Sequence, residues 1–110
     1  MQAGGQWPFE EAMTQLWTRF LPHMEERVRA LEMAACGLSQ ENFAPGDCAV
    51  GSAAAHKLAG VLGSFGLHEG THLAREAETL CADAAGPDPV ASARVAEIAL
   101  QLRAMLAERG

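Results

Sequence analysis

The chain has 110 residues, of which 49% are hydrophobic, 20% are charged and 5% are aromatic. This length suits one domain with a single core, and this balance is typical of a folded globular protein rather than a disordered chain. The net charge of −6 argues against sequence-independent binding to nucleic acid or anionic lipid, because such binding requires Lys and Arg to neutralise phosphates. We therefore predict one domain over residues 1–110, with no nucleic acid and no membrane among its partners.

Cysteine usage and the first residues bear on the cellular compartment. Cys36, Cys48 and Cys81 form an odd set without C-x-x-C spacing, which indicates reduced thiols rather than a disulfide framework or a zinc ribbon. Residues 1–8 show neither the basic nor the apolar region of a signal peptide. No stretch has the roughly 18 apolar residues of a membrane span. We expect a cytoplasmic protein.

Apolar residues recur at steps of three or four through most of the chain, and no segment alternates with the period of a strand. The first such stretch predicts a helix from Phe9 to Ala35. A kink or a break is expected near Pro22, because proline lacks an N–H and crowds the preceding turn. Gly37 is expected to end this run, and the composition of residues 38–46 predicts a loop.

Two further helices are predicted around a very short link. Asp47 stands where an N-cap would begin a helix that runs to Phe65, with Gly66 as its left-handed C-cap. The next helix is expected from about His68 to Ala85. Because the link is so short, these two helices must form an antiparallel hairpin.

The last helix follows the Gly-Pro-Asp-Pro sequence at 86–89. Asp88 suits its N-cap and Pro89 its first position, where a missing N–H is no loss. Val95, Ile98 and Leu102 then lie on one side of it. Four substantial helices with short links predict an all-α protein, an antiparallel up-and-down four-helix bundle.

The helix between Asp47 and Phe65 places one histidine apart from the apolar residues. On a wheel of about 100° per residue, Leu58 and Leu62 point away from His56, which predicts that the imidazole faces outward. Because two glycines on this face cost on the order of 1 kcal/mol each relative to Ala, we expect another molecule to come close here. Closer contact with a neighbouring helix is the alternative. The docking surface predicted around the histidine consists of small residues: Ser52, Ala53, Ala59, Gly60, Gly63 and Ser64.

An exposed imidazole on a rigid helix is a competent nucleophile when one ring nitrogen is free and the other is held by an acceptor. Lys57, the only lysine of the chain, adjoins His56 and could stabilise a doubly negative group placed on it. This pair favours a phosphoryl carrier over a metal site, which needs several ligands.

Two stretches of the sequence carry a family resemblance. Residues 54–67 read AAHKLAGVLGSFGL, with an H-x-L-x-G core, and residues 73–78 read LAREAE. Together they resemble the histidine-containing phosphotransfer (Hpt) domain of multistep two-component relays. The resemblance implies a four-helix bundle whose exposed histidine accepts a phosphoryl group from a receiver-domain aspartyl phosphate and passes it to another receiver. It makes His56 the phosphoacceptor and Gly60 a clearance position, while Ala59 stands where many members have lysine.

Some members of that family place a carboxylate or an amide on the next helix against the imidazole, and Glu78 matches that position. The hairpin points to the same residue, because His56 and Glu78 each lie eleven residues from a turn centred near Leu67. Glu78 would accept from Nδ1 and leave Nε2 to attack. A shift of one helical turn would substitute Arg75 or Glu76, and Arg75 could instead contact the phosphoryl oxygens.

The resemblance also implies partners, namely the receiver domains of response regulators and a hybrid histidine kinase. The chain has no G-x-G-x-x-G and no P-loop, so we expect a phosphotransfer intermediate without a kinase activity or an ATP site. We expect no cofactor on this chain, with Mg²⁺ held by the partner receiver. The protein is expected to be a monomer.

Two other interpretations stay open. Residues 68–72, His68-Glu69-Gly70-Thr71-His72, spell the H-E-x-x-H of zinc metallopeptidases, in which two histidines bind zinc and the glutamate activates water. Glu97 is a candidate third ligand, although the sequence offers no strand to hold a substrate and Gly70 weakens the helix. The last alternative is a helical interaction bundle without chemistry, which most of the surface would fit equally well.

Overall fold

The computed structural model describes residues 6–39 and 43–109, and these residues form four helices and no strand. Helix α1 spans Gln6–Ser39, α2 spans Pro45–Ser64, α3 spans His68–Ala82 and α4 spans Pro89–Arg109. Helix α1 packs on α2 and α4, and α3 packs on the same two helices from the other side. The predicted all-α, antiparallel up-and-down four-helix bundle is confirmed. None of the described helices combines the length and the apolar character that a membrane span requires.

The core between the helices consists mainly of leucine and alanine side chains. On α4, Val95, Ile98 and Leu102 are buried, as their helical spacing predicted. Leu58 and Leu62 of α2 meet them from within the bundle and expose none of their surface. Because these side chains fix the rotation of α2, they also determine which residues of that helix face outward.

Helix α1 is longer at both ends than predicted. It continues unbroken through Pro22 to Ser39, so the chain does not break at the proline. The prediction that Gly37 ends the helix is wrong, since the helix continues to Ser39. Leu38, the residue after Gly37, is fully buried. Burying a leucine contributes about 1.5–3 kcal/mol, which outweighs the cost of about 1 kcal/mol of a glycine inside a helix. Part of the loop predicted over 38–46 lies outside the described residues.

Helix α2 begins earlier than predicted. Its N-cap is Ala44, which provides no side-chain hydrogen bond, and Pro45 takes the first helical position. The prediction that Asp47 is the N-cap is wrong, since this residue lies within the first turn. Pro45 explains why the helix begins earlier. The fixed φ of proline suits the first helical turn, where backbone N–H groups have no partner within the helix. The charge of Asp47 still interacts favourably with the positive end of the helix dipole.

The link between α2 and α3 is a tight glycine turn, as predicted. Gly66 has a φ of 75°, a conformation that side chains with a Cβ rarely adopt. The N–H of Gly66 donates to the carbonyl of Gly63 at 3.0 Å, and the N–H of Leu67 donates to that of Leu62 at 2.9 Å. This pair of bonds is a Schellman motif, and the chain reverses between Ser64 and His68, within three residues.

The second link leads from α3 to α4. Helix α3 ends at Ala82, three residues before the predicted end, and the loop that follows it reaches the end of α1. There the N–H of Asp88 donates to the carbonyl of Leu38 at 2.9 Å. Asp88 is the N-cap of α4, as predicted, since its Oδ1 accepts from the N–H of Ala91 at 3.1 Å.

Two ion pairs join α4 to its neighbours on the outside of the bundle. Arg94 donates from Nε and Nη2 to the carboxylate of Glu76 on α3, at 2.6 and 2.7 Å. These bonds lower the pKa of Glu76. Arg103 donates in the same way to Glu32 on α1, at 3.1 and 3.0 Å. Exposed pairs contribute about 0.2–1 kcal/mol each, so the bundle depends mainly on its core.

Gly51 of α2 faces α1 at close range. A Cβ added to Gly51 would lie 2.6 Å from the Cβ of Ala34, which cannot move without its helix. We expect Gly51→Ala to lower the free energy of unfolding by about 1–3 kcal/mol, although alanine has the higher helix propensity. In Gly60→Ala, a control in the same helix, the new Cβ meets nothing within 4 Å. That variant should gain up to about 1 kcal/mol. Urea denaturation checks both, and equal stabilities would contradict the close packing of α1 on α2.

Candidate functional site

The imidazole of His56 stands on the outer side of α2. Its side chain is 75% exposed, whereas Leu58 and Leu62 of the same helix are fully buried on the opposite side. The ring is therefore carried by a helix that the core holds rigidly, and it faces solvent as the helical spacing predicted.

A carboxylate on α3 holds one nitrogen of this ring. Nδ1 of His56 lies 3.0 Å from Oε2 of Glu78, whose side chain is 33% exposed. Since a carboxylate accepts but does not donate, Nδ1 carries the proton in the neutral ring and Nε2 carries the lone pair. The hydroxyl of Ser52 donates to the backbone carbonyl of Glu78 at 3.3 Å, which ties α3 to α2 beside the histidine.

Glu76 and Arg75, the alternatives to Glu78 on α3, face different parts of the molecule. Glu76, one of the residues that a register shift would have brought to the histidine, is bound by Arg94 of α4 instead. Arg75 is exposed and lines the same cavity as His56. The antiparallel hairpin thus has the register that its short link predicted.

One cavity, of about 480 Å³, lies on the C-terminal side of His56 along α2. Gly60 forms its open edge, because a Cβ added there would meet nothing within 4 Å. Arg75 brings a positive charge to it, and the hydroxyl of Thr79 donates to the carbonyl of Arg75 at 3.2 Å. Thr79 was not among the predicted site residues, although its spacing of four from Arg75 puts it on the same face of α3. The residues lining this cavity are His56, Ala59, Gly60, Arg75, Glu78 and Thr79.

A second groove, of about 550 Å³, lies on the N-terminal side of His56, and most of its lining is apolar. Lys57 is exposed at its rim, next to the histidine. Helix α3 supplies Cys81 and Ala82 to this groove. Neither residue could be predicted from the pattern of α2 alone. Burial raises the pKa of the Cys81 thiol to about 11, so it stays protonated and is a poor nucleophile at neutral pH.

The small residues predicted as a docking surface do not all face solvent. The expectation that Ala59 is exposed is wrong, since its exposed fraction is 5%. Helix α3 covers this edge of α2, where the hydroxyl of Thr71 lies 3.4 Å from the carbonyl oxygen of Ala59. Ser52, next along the same edge, is half-buried. The exposed members are Ala53, Gly60, Gly63 and Ser64.

The H-E-x-x-H segment forms the start of α3. His68 and His72 are exposed, and Gly70 between them is buried against the bundle. Glu97, the candidate third ligand, accepts a hydrogen bond from Arg94 at 3.0 Å. Within residues 6–39 and 43–109, no group of three or more His, Cys, Asp or Glu side chains is placed to hold a metal ion. The geometry therefore does not support the metallopeptidase interpretation.

Comparison with families of known proteins bears directly on this site. The family model described as Hpt domain matches residues 15–109, which include α2, α3 and α4 and the part of α1 from residue 15 onward. This chain belongs to the Hpt domain family. Hpt domains are phosphocarrier modules of phosphorelays, and they interact with receiver domains and histidine kinases. Comparisons with curated proteins and with solved structures each found no match.

Positive charge lies on both sides of the histidine in this Hpt domain. Ala59, which by the resemblance stands where many members have lysine, has a buried side chain. Lys57 lines the groove on one side of His56, and Arg75 lines the cavity on the other. The histidine of this Hpt domain is thus flanked by a cation from each of the two helices of the hairpin.

Proposed function

We propose that His56 accepts a phosphoryl group from the aspartyl phosphate of one receiver domain and passes it to the aspartate of another. The observation that carries the proposal is the exposed imidazole whose Nδ1 is held by Glu78 at 3.0 Å. This contact fixes the tautomer and leaves Nε2 as the nucleophile. Transfer of phosphate from a phosphorylated receiver to this chain, and its loss in His56→Gln, tests the proposal.

In the proposed step, Nε2 attacks the phosphorus of the aspartyl phosphate. The N–P bond forms as the bond between phosphorus and the aspartyl oxygen breaks, and the receiver's carboxylate leaves. No proton has to move, because Nε2 carries none in this tautomer. The ring of His56 becomes a phosphoimidazolium cation, and Glu78 stabilises that charge through the existing hydrogen bond. Attack by the carboxylate of the second receiver reverses each change and restores the neutral ring.

Arg75 and Lys57 supply positive charge for the transferred group. A planar guanidinium can donate two parallel hydrogen bonds to phosphoryl oxygens, so Arg75 takes the role that lysine has in many members of the family. Lys57 acts as a point charge from the opposite side. No cofactor is proposed for this chain, and Mg²⁺ together with the acidic pocket belongs to the receiver.

The receiver is proposed to dock on the face that surrounds His56. Ala53, Gly60, Gly63 and Ser64 offer little side-chain bulk on this face and are exposed. The groove and the cavity on either side of the ring give the receiver two concave surfaces to fill. The partner's aspartyl phosphate then reaches Nε2 without displacing a large side chain.

Replacing Glu78 tests how Nδ1 is held. Glu78→Gln keeps an oxygen that can accept from Nδ1 but removes the charge that stabilises the phosphoimidazolium. Because hydrogen bonds to charged groups contribute about 1.5–3 kcal/mol, we expect the rate of phosphoryl transfer to fall roughly ten- to hundredfold. Rapid-quench measurement with a phosphorylated receiver checks this rate.

Two further variants separate positioning from general structural damage. Glu76→Gln alters a carboxylate of the same helix that faces Arg94, and its transfer rate should match that of the wild type. In Glu78→Ala, the ¹⁵N NMR shifts of the His56 ring should move from the Nδ1–H tautomer toward a mixture. A Glu78→Gln variant that transfers as fast as the wild type would show that the charge has no role.

A further inference from the structure

Most serine and threonine hydroxyls in the described residues donate to a carbonyl of their own helix, a common bond for these side chains. Four of them donate to the carbonyl four residues earlier, at 3.0 to 3.2 Å: Thr14, Thr18, Ser64 and Thr79. Ser52 of α2 behaves differently, because its hydroxyl donates to the backbone carbonyl of Glu78 on α3, at 3.3 Å. This hydroxyl therefore joins the two helices of the hairpin.

Two contacts between α2 and α3 close a loop beside the histidine. In one direction, the hydroxyl of Ser52 donates to the backbone carbonyl of Glu78. In the other direction, the carboxylate of Glu78 holds Nδ1 of His56 at 3.0 Å. Ser52 and His56 are four residues apart and lie on the same face of α2, one turn from each other. One turn of α2 thus binds the backbone of Glu78, and the next turn carries the ring that its side chain holds.

The contact between the carboxylate and the ring depends on where α3 lies along α2. Oε2 of Glu78 is 3.0 Å from Nδ1 of His56, and a separation of about 3.6 Å is no longer a hydrogen bond. A displacement of α3 by less than about 1 Å is therefore sufficient to lose it. The side chain of Glu78 is also 33% exposed, so water competes for its oxygens. A second bond that fixes the backbone of Glu78 opposes both effects.

We propose that Ser52 is a positioning residue for phosphotransfer. By holding the backbone of α3 at Glu78, its hydroxyl keeps the carboxylate within hydrogen-bond distance of Nδ1, and Nε2 keeps its lone pair. The inference rests on the proposed role of His56, and it adds a residue that acts through Glu78 rather than on the phosphoryl group. A carbonyl oxygen has two lone pairs, so that of Glu78 accepts from Ser52 without leaving the helical bonds of α3.

Ser92 provides a matched comparison for Ser52. Its hydroxyl also joins two helices, since it donates from α4 to the backbone carbonyl of Ala35 on α1 at 2.7 Å. Ser92 is buried, and neither it nor Ala35 lines the cavity or the groove beside His56. Loss of this hydroxyl removes a bond between helices and leaves the site unchanged.

Ser52→Ala tests the proposal through the rate of transfer from a phosphorylated receiver. Alanine has the higher helix propensity, so the variant should stay folded. Loss of one hydrogen bond corresponds to about a two- to tenfold change, and we expect the rate to fall by this factor. Ser92→Ala is the control: its urea midpoint should fall, whereas its transfer rate should equal that of the wild type. A wild-type rate in Ser52→Ala would overturn the proposal.

The ¹⁵N NMR shifts of the His56 ring test the positioning itself, without a receiver. In Ser52→Ala these shifts should move from the Nδ1–H tautomer toward a mixture, in the direction of Glu78→Ala but less far. Ser92→Ala should leave them unchanged, although it alters stability. Shifts equal to those of the wild type in Ser52→Ala would overturn the proposal. If no receiver transfers phosphate to the wild type, the proposed function fails, whereas the ring shifts still decide whether Ser52 positions Glu78.

A double-mutant cycle shows whether Ser52 acts through Glu78. In Glu78→Ala no carboxylate remains to be positioned, so adding Ser52→Ala should leave the transfer rate at that of Glu78→Ala. Ser52 also lines the groove on the N-terminal side of His56. A hydroxyl that contacted the receiver there would keep its effect in the double variant. An equal loss of rate on Ser52→Ala with and without the Glu78 side chain would therefore overturn the proposal.

Discussion

His56→Gln should abolish acceptance of a phosphoryl group from a phosphorylated receiver domain. Glutamine is similar in size and polarity, but its amide nitrogen has no free lone pair to attack phosphorus. The fold should not suffer, because the side chain of His56 is 75% exposed and substitutions at such positions change stability by about 0.5 kcal/mol or less. Incubation with a labelled receiver, followed by separation of the two proteins, measures the transfer.

The other histidines provide the control for this experiment. His68 and His72 are exposed on α3, and their replacement by glutamine should leave the labelling at the wild-type level. The label on the wild type should be lost in acid and retained in base, which is the behaviour of an N–P bond. Equal labelling of His56→Gln and the wild type would remove His56 from its proposed role.

Gly60→Leu should slow transfer about a hundredfold, since a displacement of about 1 Å between reacting groups is sufficient for such a loss. A Cβ added at Gly60 meets nothing within 4 Å, so the backbone of α2 has room for a side chain at this position. It then occupies the open edge of the cavity beside His56, where the receiver is proposed to dock. Circular dichroism and thermal unfolding should show a helical protein at least as stable as the wild type.

A leucine introduced elsewhere on the surface is the control for Gly60→Leu, because it shows whether added bulk slows transfer wherever it is placed. Ala96 is exposed on α4, and Ala96→Leu should transfer phosphate at the wild-type rate. Measurements of receiver binding distinguish the cause of the loss in His56→Gln from the cause in Gly60→Leu. His56→Gln should still bind the receiver, whereas Gly60→Leu should bind it weakly. Wild-type transfer by Gly60→Leu would place the docking surface elsewhere.

The sequence was sufficient for the parts of the site that depend on helix geometry alone. The side of α2 that carries His56 follows from the spacing of Leu58 and Leu62, because a helix repeats every 3.6 residues. The short link at Gly66 makes the two helices antiparallel and places Glu78 level with His56. A shift of one helical turn stayed open in the sequence, and the structure decides for Glu78. Both expectations rest on helix geometry within the hairpin and not on how the hairpin packs on the rest of the bundle.

Other features depend on how the helices pack, and the sequence predicted them wrongly or not at all. A helical wheel placed Ala59 beside His56 with correct angles, but the width of the surface that α3 covers depends on how closely the two helices approach. Gly37 was predicted to end α1 because local propensity disfavours glycine in a helix, whereas the burial of Leu38 extends it. The groove on the N-terminal side of His56 combines side chains of both α2 and α3, so neither helix shows it alone. Local periodicity thus determined which side of each helix faces the core, and only tertiary packing decided where that face ends, because burial depends on distances between helices that no single segment encodes.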